Sequence, residues 1–107
     1  MEKAIVLKKL QETGLVPVLR AASVEQAIAL AEAVAAGGVN VLEVTMTVPG
    51  AVEVIERLAR DRPDILVGAG TVLDQETART CILAGAAFVV SPALNVKTIE
   101  MNRKSVV

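Results

Sequence analysis

Apolar positions recur along the chain in two alternating rhythms, and these predict helices and strands in turn. From about residue 2 to residue 13, Val6, Leu7 and Leu10 share a helical face, and Gly14 ends the segment. Leu15 to Arg20 is a β-type run; Pro17 within it cannot donate to a ladder and suits a strand start or an edge. Ser23-Val24-Glu25-Gln26 has the form of a capping box. Behind it, Ala27, Leu30, Ala31 and Val34 form a helical stripe, and Gly37-Gly38 supplies the exit. Val39 to Met46 is the second strand and Thr47-Val48-Pro49-Gly50 a turn. A helix carrying Val52, Ile55, Leu58 and Ala59 runs to about Arg60, and the polar stretch 61–64 breaks it. Ile65 to Gly68 is the third strand, followed by a Gly-Ala-Gly-Thr loop. Asp74 is placed to cap a helix with Ala78, Cys81 and Ile82 inward, closed by Gly85. Phe88 to Val90 is the fourth strand, Ser91-Pro92 its exit loop, and Asn95 caps a last helix to about Arg103. Lys104 to Val107 runs into a new β-branched stretch.

The order is one helix followed by four βα units, which predicts an α/β fold with a parallel sheet in a single domain, residues 1–107. The helix exits at Gly37 and Gly85 resemble each other and lie about two units apart, a weak internal repeat. A closed (β/α) barrel takes eight strands and typically ~200 residues or more. Four units in an open sheet leave exposed pairing edges. The expectation is therefore half of a (β/α)8 TIM barrel: a fragment, or a half that pairs with a copy or a partner.

Composition narrows the chemistry. The chain is 53% apolar and 21% charged, which favours a folded core over disorder. Net charge is −1 with no basic block, so nucleic acid and anionic membranes have no electrostatic footing. Phe88 is the sole aromatic residue, too little for a base-stacking platform. There is no His, which removes imidazole acid/base catalysis and His-ligated metal sites. Cys81 alone cannot form an internal disulfide or build a zinc site and reads as a small buried hydrophobe; a reduced, cytoplasmic protein is expected. No apolar run reaches the ~18 residues of a membrane span, and the N-terminal apolar stretch is too short for a signal peptide.

Glu43 is the most informative residue. Alternation along Val39–Met46 puts Val41, Glu43 and Thr45 on one face and the apolar Leu42, Val44 and Met46 on the other. The apolar face is expected to pack on helices. Glu43 then points the other way near the strand's C-terminal end, where barrel active sites lie. Partial desolvation there raises a carboxylate toward useful acid/base values. The alternative is a Glu paired with an arginine for folding. Arg20, sharing a face with Val16 and Val18, is expected at the same rim, either binding a carboxylate or phosphate or remaining a solvated loop residue. Gly68-Ala69-Gly70-Thr71 lacks the third glycine of a dinucleotide fingerprint and the Lys-Ser/Thr of a phosphate loop. Its glycines either let backbone approach a ligand or simply make a tight turn, and Thr71 offers a hydroxyl. None of Lys3, Lys8, Lys9, Lys97 and Lys104 falls in a predicted strand.

Five segments occur in order: Val16-Pro17-Val18-Leu19-Arg20, Gly37-Gly38-Val39, Leu42-Glu43-Val44-Thr45, Val67-Gly68-Ala69-Gly70-Thr71-Val72, and Gly85-Ala86 with Val90-Ser91-Pro92. This set resembles the N-terminal half of the 2-keto-3-deoxy-6-phosphogluconate (KDPG) / 4-hydroxy-2-oxoglutarate (KHG) aldolase family, over nearly the whole chain to about Arg103. The resemblance implies a (β/α)8 barrel, commonly a homotrimer, and a class I aldolase working without metal or organic cofactor. A strand-six lysine forms a Schiff base with the substrate ketone, and pyruvate is released with an aldehyde. The family's acid/base glutamate falls on Glu43. Substrate contacts fall on Arg20, Thr71 and, in the Ser-Pro pair, Pro92; some members carry a substrate-binding arginine where this chain has Thr47.

The Schiff-base lysine and the phosphate site belong to strands that these residues do not include, so the chain by itself is expected to be inactive as an aldolase. The competing expectation is a non-catalytic half-barrel assembly module that self-associates through its edges. A thiamine-phosphate-synthase-type barrel ranks lower, because it would want a magnesium-binding Asp at a strand end and Asp61, Asp64 and Asp74 all read as loop or cap residues.

Overall fold

The computed structural model describes all residues, 1–107. Its elements are α1 (Lys3–Thr13), β1 (Val18–Leu19), α2 (Val24–Ala36), β2 (Val41–Thr45), α3 (Ala51–Asp61), β3 (Leu66–Gly70), α4 (Gln75–Ala84) and α5 (Val96–Asn102). The sheet is parallel with order β1-β2-β3. Each of three helix starts is capped by a short polar side chain accepting a backbone N–H: Ser23 from Gln26, Asp74 from Thr77 and Asn95 from Thr98. The capping box at Ser23 differs from the expected form, since the Gln26 side chain reaches back to the N–H of Ala22 rather than of Ser23.

Three strands are regular where four were expected. The fourth is reduced to one bridge, Ala69 to Val89, with Ala69 N–H donating to Phe88 and Val90 N–H to Ala69. Ala87 N–H donates to the Val67 carbonyl and Val72 N–H to that of Val90, so the segment follows β3 on both sides of that bridge. On its other side, Val89 N–H donates to the Val107 carbonyl, so the β-branched tail runs beside it. β1 is shorter than expected and starts after Pro17, whose carbonyl accepts Glu43 N–H. β3 runs further than expected: Ala69 and Gly70 are strand, not loop.

The two faces of the sheet bury different partners. Leu42, Val44, Val67 and Ala69 pack against Ala27 and Ala31 of α2, Val54, Ile55 and Leu58 of α3, and Ala78 and Cys81 of α4. On the opposite face α1 covers the strand starts, where Val6 packs with Val41, Leu66 and Phe88. Two stripe residues depart from expectation: Leu7 and Leu30 are exposed, at 46% and 41%. Leu30 borders a groove of about 220 Å³ along the free edge of β1, which no neighbouring strand covers.

Candidate functional site

The face under α1 changes character along the strands. Reading from the N-terminal end, β2 presents Val41, Glu43 and Thr45, and β3 presents Leu66, Gly68 and Gly70. The apolar starts are sealed by α1; the C-terminal ends carry the polar groups. In this register Glu43 is opposite Gly68 and Thr45 opposite Gly70.

The glycines of β3 serve their strand neighbours. A side chain on Gly70 would occupy the place of the Glu43 carboxylate, and one on Gly68 would meet the Phe88 ring. Gly70 thus lets Glu43 lie flat across β3, and Gly68 lets the ring wedge into the α1 cluster. Both glycines therefore make room for neighbouring side chains of the chain itself.

Glu43 is half-buried and takes part in no ion pair or side-chain hydrogen bond. Burial pushes its carboxyl above the ordinary value, and the Arg20 guanidinium pulls more weakly the other way. The alternative of a Glu locked to an arginine for folding is therefore not what the structure holds. Arg20 is exposed, immediately beyond the last β1–β2 pair, Leu19↔Val44, and also borders the groove at the β1 edge.

Beside Glu43 stands a cluster of three hydroxyls. Thr45 Oγ1 lies 2.9 Å from Thr71 Oγ1 and 3.2 Å from Thr47 Oγ1. Thr45 is 1% exposed, Thr71 half-buried and Thr47 exposed. Thr71 is the one non-glycine residue with positive φ, at 58°. That conformation is costly for a β-branched side chain and characteristic of sites held in place by their surroundings. Thr45 was visible in the sequence only as a residue on the Glu43 face; its burial between two hydroxyls is what marks it.

Pro92 is exposed and borders a cavity of about 480 Å³ with Ser91, Leu94, Asn95, Thr98 and Asn102. Ser91 Oγ donates to the Ala93 carbonyl and so shapes its own loop. The lysines lie on α1 (Lys3, Lys8, Lys9), on α5 (Lys97) and just after it (Lys104). No cluster of three metal-ligating side chains is present.

The fold is a parallel α/β layer that carries a partly desolvated carboxylate and hydroxyls at its strand C-terminal ends. The family described as "Aldolase: KDPG and KHG aldolase" matches residues 6–107, and the chain belongs to that family. Among curated relatives, the KHG/KDPG aldolase of Escherichia coli is 44% identical over 79 residues, 74% of this chain and 37% of its own length. The 2-dehydro-3-deoxy-phosphogluconate aldolase of Haemophilus influenzae is 36% identical over 96 residues, 90% of this chain and 45% of its own. Among solved structures, the KDPG aldolase of Legionella pneumophila, with pyruvate captured as a covalent carbinolamine intermediate, superposes with a TM-score of 0.78 at 40% identity. That alignment covers 84% of this chain and 44% of the other. The chain thus spans less than half the length of these relatives.

Proposed function

We propose that these residues are the acid/base half of a class I aldolase, in which Glu43 moves the proton of the cleavage step on KDPG or KHG. The observation that carries this reading is the Glu43 carboxylate: partly desolvated, unpaired, and laid over Gly70 beside the Thr45–Thr71 hydroxyls. An amine adds to the substrate's C2 ketone and water leaves, forming an iminium. Glu43 takes the C4 hydroxyl proton, the C3–C4 electron pair moves into the iminium, and the aldehyde departs. Returning a proton to C3 and hydrolysing the iminium releases pyruvate and the amine. Arg20, Thr47, Thr71 and Pro92 are assigned to substrate binding.

The amine is assigned to a lysine outside residues 1–107. A carboxylate cannot serve as the electron sink, and the lysines present sit on helices or beyond them, off the strand rim. The isolated 107-residue chain is accordingly inactive, and the working enzyme is a cytoplasmic homo-oligomer, a trimer by family resemblance. In the protein from its source, pyruvate and borohydride should leave a covalent adduct outside these residues. There, Glu43→Gln should lower kcat by ~10²–10⁴-fold. Turnover by the 107-residue chain alone, abolished by Glu43→Ala, would overturn the division of labour.

A second reading, a non-catalytic half-barrel assembly module, is favoured by the exposed apolar side chains of Val90, Leu94, Val96 and Ile99 around α5. It predicts a defined oligomer of the 107-residue chain by light scattering and no adduct anywhere in the source protein.

A further inference from the structure

We infer that Thr45 is a positioning residue that turns the Thr71 hydroxyl outward as a hydrogen-bond donor to an oxyanion or carbonyl ligand, here a 2-keto acid. The inference takes its ligand class from the aldolase reading and its geometry from three hydroxyls. Thr45 has one hydroxyl proton and two hydroxyl neighbours, Thr47 at 3.2 Å and Thr71 at 2.9 Å. It donates to one and accepts from the other, so the line of hydroxyls has a direction.

The ligand fixes that direction. The carboxylate and ketone of a 2-keto acid only accept. Thr71 must then spend its proton on the ligand and accept from Thr45, which accepts from Thr47. Each bond polarises the next, strengthening the terminal donor. Thr45 is the fixed member of the line. It is 1% exposed on a central strand, whereas Thr71 sits at φ 58° and has Thr45 as its side-chain partner. Removing the Thr45 hydroxyl leaves Thr71 free to rotate and removes the partner that orients its proton.

The test is pyruvate binding to the 107-residue chain, followed by NMR at the threonine methyls and amides, with melting temperature measured alongside. Wild type should show saturable shifts at Thr45 and Thr71. Thr45→Val, matched in shape, should weaken binding ~3–10-fold, the loss expected for one hydrogen bond. Its melting temperature and the spectrum of α2–α4 should stay unchanged. Thr45→Ser, which keeps the hydroxyl, should bind within about 2-fold of wild type. If Thr45→Val unfolds, the Thr45→Ser and Thr71→Val pair decides: weakened binding in Thr71→Val with near wild-type binding in Thr45→Ser supports the relay. Wild-type affinity in Thr45→Val or in Thr71→Val overturns it, as does the absence of saturable shifts in wild type. Binding that depends on Thr45, in a source protein without retro-aldol turnover, would end the aldolase reading and leave the relay standing.

Discussion

The Glu43 carboxylate occupies the space that a side chain at Gly70 would fill on the neighbouring strand. The two residues are not a register pair, since Glu43 is opposite Gly68 and Gly70 lies two residues further along β3. Glu43 therefore leans toward the C-terminal end of the sheet, to the level of Thr45 and Thr71. The absence of one Cβ on β3 decides where the Glu43 carboxylate of β2 sits.

Gly70→Ala should accordingly damage the site while sparing the fold. The added methyl meets the far end of a flexible side chain, which can swing away. The expected stability change is under about 1 kcal/mol by chemical denaturation. Displaced toward water, Glu43 should titrate closer to an ordinary glutamate, followed through its side-chain carboxyl carbon by NMR. An unchanged Glu43 titration in a folded Gly70→Ala protein would contradict the packing described.

Gly68→Ala should do the reverse. Its methyl meets the Phe88 ring, which is 4% exposed and wedged among Val6, Val41 and Leu66. A ring held on all sides has nowhere to go, so overpacking should cost ~1–3 kcal/mol. Urea denaturation reads this directly. A further Phe88→Leu substitution should recover part of the loss by making room; no recovery would mean that the clash lies elsewhere.

The contrast between these glycines also shows what the sequence could and could not say. Period-two alternation sufficed to place Glu43 and Thr45 together on the face opposite the Leu42–Val44 face, because that periodicity is a local property of a strand. The N-caps at Ser23, Asp74 and Asn95 were legible for the same reason. The third strand reads as ending at Gly68, with Ala69-Gly70 in a loop, because glycine is poor in strands by propensity. Cross-strand demand for space overrode that propensity, and this depends on Glu43 and Phe88, which come beside the two glycines only through the fold. The burial of Thr45 between Thr47 and Thr71, and the positive φ of Thr71, arise from tertiary placement and leave no pattern in the sequence. Leu30 illustrates the opposite failure: its helical stripe is correct, but the β1 edge beside it has no covering strand, so it stays exposed.

Cys81 should behave as core. It is fully buried on α4 against Met46, with its sulfur 3.6 Å from the thioether, and burial pushes its thiol up to about 11. At pH 8 the thiolate fraction is small and access is closed. A thiol reagent such as iodoacetamide should leave the folded chain unmodified over hours and label it promptly in urea. Rapid labelling of the native protein at pH 8 would show that α4 opens from the sheet.

The pH dependence of stability follows from Glu43 with a definite sign. Its folded-state pKa is raised above the ordinary 4.5, chiefly by desolvation, so the folded chain holds this proton more tightly than the unfolded chain. The favourable contribution is fully present below 4.5 and is lost as pH rises through the folded-state value. Glu43→Gln has no proton to lose, so its stability advantage over wild type should be small in acid and grow as pH rises through that window. Arg20 opposes the shift, so Arg20→Met should move the window further up. Under the proposed aldolase mechanism the same ionisation should set the acid limb of kcat/KM, since proton abstraction needs the carboxylate. That limb should lie above the range of an exposed glutamate and move upward again in Arg20→Met. Matched denaturation series from pH 4 to pH 8 on wild type, Glu43→Gln and Arg20→Met read the sign without requiring turnover. Parallel wild-type and Glu43→Gln curves would mean that Glu43 is not desolvated and that its place over Gly70 does not tune it.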